Sequence, residues 1–245
     1  MKTCISNALA IAAKPAVLAL ALAATACASA PAVNVSPATA AGEAGMVDIQ
    51  SLVPDIALEI RYAGSDNFVG RPVVGYDAPK CFLHKPVAEA LQRVEADLRA
   101  QNMRLKIFDC YRPRRAVLDF MRWAQDPNDL RTKAKYYPDL DKPALVGGYI
   151  SPTSGHSRGA TLDLTMIACD ARQRCEPLDM GTGFDFFGPI ANTDSPLASP
   201  AQIANRHRLR EAMGRQGFEN YPMEWWHFTF KPEPTPEMAF DFPVR

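Results

Sequence analysis

Apolar side chains recur at helical spacing in three stretches of the chain. The clearest stretch begins at Pro86, and its apolar residues are three or four positions apart, so that they share one face of a helix: Val87, Leu91, Val94 and Leu98. The other two stretches also open on a proline, which is favoured in the first turn of a helix. The pattern predicts three helices, over residues 86–98, 113–125 and 200–215.

Shorter apolar stretches between these helices favour strands. Residues 160–166 alternate with a period of two, residues 225–230 are rich in aromatic side chains, and residues 105–109 form a third short apolar run. Helices and strands do not alternate along the chain as they do in a parallel βαβ array. The sequence therefore predicts an α+β domain with a central antiparallel sheet flanked by helices.

The first 26 residues are typical of a secretory leader. Two lysines precede an apolar run over 15–24, which is shorter than the roughly 20 residues that a membrane-spanning helix needs. Ala24 and Ala26 then form an A-x-A-like cleavage site directly before Cys27. We expect export, with either simple cleavage or, because the site resembles a bacterial lipobox, a lipid on Cys27. A core helix is the less favoured alternative.

The rest of the chain predicts a tether and one domain. Residues 27–46 are mostly Ala, Pro, Ser, Thr, Val and Gly, a composition with little to bury, and they predict a flexible tether. Residues 47–245 contain no internal repeat and no linker that would separate two cores, so we expect a single catalytic domain. Its predicted location is the periplasm or the cell envelope.

The charge balance excludes one class of partner. The chain has 27 Lys and Arg and 27 Asp and Glu, and loss of residues 1–26 would remove two lysines and no acid. Nucleic-acid-binding domains carry a clustered excess of basic residues, so nucleic acid is not an expected partner. Membrane contact is expected only through a lipid on Cys27.

Four cysteines remain in the body of an exported protein. An even number of cysteines in an oxidising compartment favours disulfides, and four cysteines allow three pairings. Cys169 and Cys175 flank a short polar turn that a bridge would close, so we expect them to pair, which leaves Cys81 for Cys110. A zinc site made of cysteines is the alternative, but the chain has no C-x-x-C motif.

Two short motifs place histidines beside carboxylates. His156 lies on a glycine-flanked loop seven residues before Asp163, and Glu224 precedes His227 by three residues. A catalytic zinc ion takes about three N or O ligands and leaves one position open for water. His156, Asp163 and His227 provide such a set, and Glu224 would be free to accept a proton from the water. The sequence thus predicts one zinc ion per chain.

Each of these residues also has a plainer interpretation. A single histidine on an aromatic strand is often a satisfied core residue, and an aspartate such as Asp163 often pairs with an arginine, for example Arg158. Taken together, however, four polar groups on apolar strands would each need a separate partner. Arg112, fixed before Pro113, could stabilise an oxyanion or simply pair with Asp109 or Asp119. His84 and His207 are expected to be structural, the latter on an exposed basic helix face.

These motifs resemble those of one enzyme family. The chain is similar to the VanX-type D-alanyl-D-alanine dipeptidases of the zinc D,D-peptidase superfamily, peptidase family M15, from about residue 49 to residue 244. The resemblance implies a D,D-peptidase-like fold, related to the hedgehog fold, with the zinc site on the sheet. It rests on the His-x6-Asp and Glu-x-x-His motifs and on further segments at 66–76, 109–113 and 180–186.

The resemblance implies a role for each matching residue. His156, Asp163 and His227 would bind zinc, Glu224 would act as general base and acid, and Arg112 would stabilise the transition state. Asp185 would hold the free ammonium of the dipeptide. The remaining matches are substrate-contacting positions: Ser154, Tyr62, Tyr76 and Phe120. Two glycines, Gly155 and Gly183, stand where bulkier residues are expected, and the leader and cysteines are not part of the cytoplasmic enzymes' pattern.

The implied reaction is zinc-dependent hydrolysis of D-alanyl-D-alanine to two D-alanines, linked to cell-wall peptide turnover or glycopeptide resistance. Two alternatives stay open. One is a D,D- or L,D-carboxypeptidase that acts on peptidoglycan stem peptides, and the other is a non-catalytic periplasmic module that binds zinc or peptidoglycan. Glu224 and Arg112 favour the enzyme, because binding alone needs neither a base nor an oxyanion partner.

Overall fold

The computed structural model describes residues 33–245. The predicted leader over 1–26 and the lipidation candidate Cys27 lie outside the described residues. Within 33–245, no helix is long and apolar enough to cross a membrane. These residues form one compact unit.

All three predicted helices are present, with boundaries within two residues of the prediction. Each begins at a proline or directly before or after one. The helix that begins at Pro200 also has a capping box, in which Ser199 and Gln202 each accept a hydrogen bond from the other's backbone N–H. Two further single-turn α-helices lie between α2 and β6 in the described part of the chain. The helices are α1 Lys85–Arg99, α2 Arg114–Gln125, α3 Lys133–Tyr136, α4 Lys142–Leu145 and α5 Pro200–Gly214.

Within residues 33–245, ten strands form three sheets, of which the six-stranded sheet is the largest. The strands are β1 Asn34–Val35, β2 Met46–Asp48, β3 Ala57–Leu58, β4 Phe82–His84, β5 Met103–Asp109, β6 Thr161–Cys169, β7 Cys175–Pro177, β8 Phe218–Asn220, β9 His227–Phe230 and β10 Met238–Ala239. The large sheet has the order β3-β5-β6-β9-β8, with β7 paired to β6, whereas β1 pairs with β10 and β2 with β4.

The large sheet is mixed, so the prediction of a purely antiparallel sheet is wrong for one strand pair. β3 runs parallel to β5, and every other pair in this sheet is antiparallel. A parallel neighbour needs a crossover connection, and here β4 and α1 lie between β3 and β5 in the chain. The α+β class itself is confirmed.

The last predicted strand begins later than expected. β9 begins at His227, whereas Trp225 and Trp226 form a turn before it. The backbone N–H of Trp225 donates to Ala191 and its indole N–H to Thr182, so both groups bond to a different loop instead of to a strand. Both tryptophans are buried. Their aromatic character therefore reflects burial in a turn.

The described part of the predicted tether, residues 33–46, packs against the domain. β1 pairs in parallel with β10, and Ala44 and Met46 are buried. Met46 lies against Gly159, where an added Cβ would be 2.3 Å from Met46 Cε, and where the backbone has a φ of +70°. Packing thus begins before residue 47, because Met46 lies against the end of the loop that carries His156.

Both disulfides have the pairing that the sequence predicts. Cys81 is bonded to Cys110, and Cys169 to Cys175. The second bridge closes the turn between β6 and β7. The first joins β4, at its N-terminal side, to the residue directly after β5.

Candidate functional site

Strand register brings two of the candidate side chains and one further acid together at the centre of the large sheet. Asp163 on β6 pairs with Asp109 on β5 on one side and with His227 on β9 on the other. Residues directly opposite each other on antiparallel strands have neighbouring side chains. Sheet pairing therefore assembles a polar row across three strands.

His156 reaches the same point from outside the sheet. It lies on a 3-10 turn, Gly155–Arg158, in which the hydroxyl oxygen of Ser154 accepts a hydrogen bond from the backbone N–H of His156. The buried His156 Nδ1 donates to the carbonyl oxygen of Cys110 at 2.7 Å. That hydrogen bond leaves the lone pair on Nε2, which faces Asp163 and His227.

The approach of this turn to the sheet also explains one of the two unexpected glycines. A Cβ at Gly155 would be 2.7 Å from Thr161 Oγ1, so a larger residue would force the turn away from β6. Gly183, in contrast, has open space around it.

His156, Asp163 and His227 form a group that could hold a metal ion. Their potential ligand atoms all lie within 4.8 Å of one another. His227 Nδ1 is 3.0 Å from Asp163 Oδ1, and His156 Nε2 is 3.2 Å from Asp163 Oδ2. Asp163 Oδ1 is buried and makes no contact of hydrogen-bond geometry with any described residue. An orphaned buried carboxylate oxygen between two imidazoles fits a cation such as zinc.

The plainer interpretation of Asp163 as a partner of Arg158 is wrong. Arg158 binds Glu233, with Nε 2.5 Å from a carboxylate oxygen. The arginine nearest to Asp163 is Arg112, whose Nη2 is 3.3 Å from Oδ2.

Glu224 lies beside the cluster without being part of it. Its carboxylate is 3.5 Å from His227 Nδ1, and its side chain is 12% exposed. Burial raises the pKa of Glu224 to about 7, and the carboxylate of Asp163 adds to this. A pKa near the working pH is the value at which a carboxyl group exchanges protons most effectively.

Arg112 is held between acids and aromatic rings. Its Nε donates to Asp109 at 2.9 Å, which is one of the salt bridges considered from the sequence, while Asp119 pairs instead with Arg71 and Arg122. The guanidinium carbon is 5.0 Å from the ring centroid of Tyr62. The salt bridge and the cation–π contact fix the guanidinium at the edge of the cluster.

Asp109 is a residue of the site whose importance sequence reasoning missed. It is fully buried, accepts hydrogen bonds from Arg112 and from the hydroxyl of Tyr76, and lies 3.4 Å from His156 Nδ1. Tyr76 was expected to touch substrate, but it is buried behind Asp109 and does not line the cavity. The available signal for Asp109 was its place three residues before Arg112, in the segment Asp-Cys-Tyr-Arg-Pro.

Asp185 and Tyr62 form a hydrogen-bonded pair in the same cavity. The Tyr62 hydroxyl donates to Asp185 at 2.9 Å, and both residues are buried. Asp185 has a φ of +61°, an uncommon conformation for a residue with a side chain. Burial, together with the charge of Asp163, raises the pKa of Asp185 well above its ordinary value. A cationic ligand would relieve this cost.

One cavity of about 250 Å³ is lined by the metal-ligand candidates and the side chains around them: Tyr62, Arg112, His156, Asp163, Asp185, Glu224 and His227. Tyr76 and Asp109 do not line it. Drug-sized ligands occupy clefts of about 300–1,000 Å³, so this cavity suits a smaller molecule. Ser154 and Phe120 also line it, as their predicted substrate contacts require. Residues 147–151 and Thr153 cover one side of it.

Arg206 is a second residue whose place the sequence analysis did not predict. It is the neighbour of His207, whose helix face was expected to be exposed and basic, yet it is fully buried on α5 and donates to the carbonyl oxygens of Met180 and Asn192. These two carbonyls flank the loop that carries Asp185. His207 is on the outer side of α5, bonded to Asp194, as expected of a structural residue.

Comparison with known proteins places this architecture in a family. Residues 42–245 match the peptidase M15 family model described as D-ala-D-ala dipeptidase. A D-alanyl-D-alanine dipeptidase of Streptomyces coelicolor is 41% identical over 197 residues, which cover 80% of this chain and 96% of that protein.

Two further relatives carry the same name. The enzyme of Enterococcus faecium is 37% identical and covers 83% of this chain and 100% of its own length. That of Escherichia coli is 32% identical over 183 residues, 75% of this chain and 83% of that protein. The chain therefore belongs to the D-ala-D-ala dipeptidases of peptidase family M15.

Proposed function

We propose that this protein hydrolyses D-alanyl-D-alanine to two D-alanines with the help of one zinc ion. The observation that carries the proposal is the content of a single small cavity. A three-residue cation site, a buried carboxyl with a raised pKa, an arginine and the buried acid Asp185 all line it. The names of the relatives supply the substrate.

His156, Asp163 and His227 would hold the zinc ion. When bound, zinc polarises a substrate carbonyl and lowers the pKa of water to about 7. Burial lowers the pKa of His156, which favours the neutral imidazole that metal binding requires. The Cys110 carbonyl selects the tautomer with its lone pair on Nε2.

Glu224 would transfer the proton. Its carboxylate accepts a proton from the attacking water and later donates it to the leaving amine, so that the group is regenerated in each turnover. The buried position beside His227, without direct membership of the ligand group, suits this role.

Arg112 would oppose the negative charge that develops on the carbonyl oxygen. Its guanidinium is fixed before the reaction by Asp109 and by the ring of Tyr62. A preorganised donor of this kind costs no reorganisation at the moment of reaction.

Asp185 would select a free N-terminus. A substrate ammonium placed beside Asp185 would pair with its buried carboxylate. Tyr62 holds this carboxylate in place with a 2.9 Å hydrogen bond. This feature favours a dipeptidase over a carboxypeptidase acting on longer stem peptides, because the stem presents an amide, and not an ammonium, at that position.

Substrate length is the first test of the proposal. The purified protein should release D-alanine efficiently from free D-alanyl-D-alanine and poorly from a stem pentapeptide that ends in D-alanyl-D-alanine. Both activities should be lost with a chelator and return with zinc. Efficient release from the pentapeptide alone would favour the carboxypeptidase, and zinc binding without release from either substrate would favour a binding module.

Asp185→Asn is expected to raise KM for D-alanyl-D-alanine by about 10- to 100-fold, because a hydrogen bond to a charged group contributes about 1.5–3 kcal/mol. Zinc binding should be unchanged. The matched comparison is N-acetyl-D-alanyl-D-alanine, which has no ammonium. Wild-type protein should discriminate strongly against it, and the variant much less. An unaltered preference in the variant would remove Asp185 from ammonium binding.

We also propose that the protein works outside the cytoplasm. The support is the predicted leader, together with two disulfides in the folded domain, which persist in oxidising compartments. The intact mass of the protein isolated from its native membrane and soluble fractions would report cleavage after Ala26 and any lipid on Cys27.

A further inference from the structure

The Cys81–Cys110 disulfide lies directly behind the candidate metal ligands. Both cysteines are buried, and Cys110 is the first residue after β5. The carbonyl oxygen of Cys110 is the acceptor for His156 Nδ1, at 2.7 Å. A disulfide-bonded residue is therefore the partner that sets the orientation of the His156 ring.

The segment 110–113, which contains Cys110, is not part of the sheet. The pairing of β5 with β6 ends at the Asp109–Asp163 pair, and α2 begins only at Arg114. The connection 110–113 has backbone hydrogen bonds from Tyr111 to Phe82 and from Arg112 to His156, at 3.0 and 3.3 Å. The first of these joins the connection to β4, and the disulfide joins it covalently at the adjacent residue.

The connection 110–113 and the His156 turn are joined to each other by hydrogen bonds. Besides the two contacts to His156, the hydroxyl of Ser157 donates to the carbonyl oxygen of Arg112 at 2.9 Å. A displacement of Cys110 would thus move the acceptor of His156 and the backbone from which Arg112 extends. Groups that orient a metal-bound histidine typically alter metal affinity or activity by 10- to 100-fold when they are changed.

We propose that the Cys81–Cys110 disulfide is a positioning element of the metal site. It fixes the Cys110 carbonyl that orients His156, and it fixes the turn that presents Arg112. This inference rests on the proposed function, since it takes His156 as a zinc ligand.

The second disulfide provides a matched control. Cys169 and Cys175 are the end pair of the β6–β7 ladder, six residues beyond Asp163 on the same strand. At about 3.3 Å per residue, that is roughly 20 Å from the cluster. Cys169→Ala/Cys175→Ala removes the same chemical bond without touching the connection 110–113 or the His156 turn.

The experiment compares three forms of the full mature chain: wild type, Cys169→Ala/Cys175→Ala and Cys81→Ala/Cys110→Ala. Zn²⁺ affinity is measured by competition with a chelator of known affinity, and kcat and KM are measured at saturating zinc. The 29-residue loop of the first disulfide contributes more to stability than the 6-residue loop of the second, so all assays are run well below every unfolding midpoint.

Loss of the Cys81–Cys110 bridge should weaken zinc binding at least tenfold and lower kcat, with a smaller change in KM, because Asp185 and Tyr62 belong to other segments. The control pair should stay within twofold of wild type. If the alanine pair does not fold, Cys81→Ala/Cys110→Val refills part of the lost volume and is measured in its place.

Zinc affinity equal to that of the control pair would overturn the positioning role. Failure of the wild-type protein itself to bind zinc would contradict the proposed function instead, so the two results are distinguishable.

Discussion

Glu224→Gln is expected to lower kcat for D-alanyl-D-alanine by about 10²- to 10⁴-fold, the contribution typical of a positioned acid–base group. Glutamine keeps the size of the side chain and one acceptor oxygen, but it does not take up a proton at neutral pH. Zinc should stay near one ion per chain, because Glu224 lies beside the three-residue ligand group and is not one of its members.

The control is Glu219→Gln, which makes the same change at an exposed position on β8, the strand paired with β9. It should leave both kcat and zinc content unaltered. Elemental analysis and steady-state kinetics on the same samples separate the two properties. Unchanged turnover in Glu224→Gln would reject the assigned base, and loss of zinc would make Glu224 a ligand.

This variant also decides between catalysis and binding as the purpose of the cavity. A module that only binds zinc or peptidoglycan gains nothing from an ionisable group whose pKa burial raises to about 7, because that group would be partly charged and partly neutral at neutral pH. A hydrolase needs both forms in each cycle, first the base and then the acid. Among the residues of the cavity, Glu224 therefore distinguishes catalysis from simple binding better than the metal ligands do.

The elements with strong local periodicity were predictable. The helix over 86–98 has four apolar positions spread over about three turns, and the observed α1, Lys85–Arg99, buries that face. The parallel pairing of β3 with β5 was not predictable, because β3 has only two residues and no period can be read from so short a strand. What places β3 is its connection through β4 and α1, which is a tertiary property.

The site shows the same division between local and distant information. The His156–Asp163 and Glu224–His227 motifs are each local in sequence, so both could be recognised. The register of β6 with β9, which brings His227 to Asp163, is a tertiary property. Arg206 could not be interpreted from its neighbours, which are charged and polar. Its burial depends on two carbonyl groups from a loop that precedes α5 in the chain.

His156→Ala is expected to reduce zinc content from about one ion per chain to nearly none, and to abolish hydrolysis. A catalytic zinc ion takes three protein ligands, and the variant would keep only Asp163 and His227. The matched control is His207→Ala, at an exposed position on α5 that contacts Asp194, and it should retain both zinc and activity. Zinc is measured by elemental analysis after dialysis, and hydrolysis by release of D-alanine.

Loss of folding is the competing explanation for such a result, and the structure indicates how large that effect should be. His156→Ala leaves the Cys110 carbonyl without its hydrogen bond, which costs about 1–3 kcal/mol. A domain with two disulfides should stay folded, so circular dichroism at 25 °C should match wild type while the unfolding temperature falls. A folded variant that still binds one zinc ion with wild-type affinity would show that the orphaned oxygen of Asp163 belongs to a different ligand set.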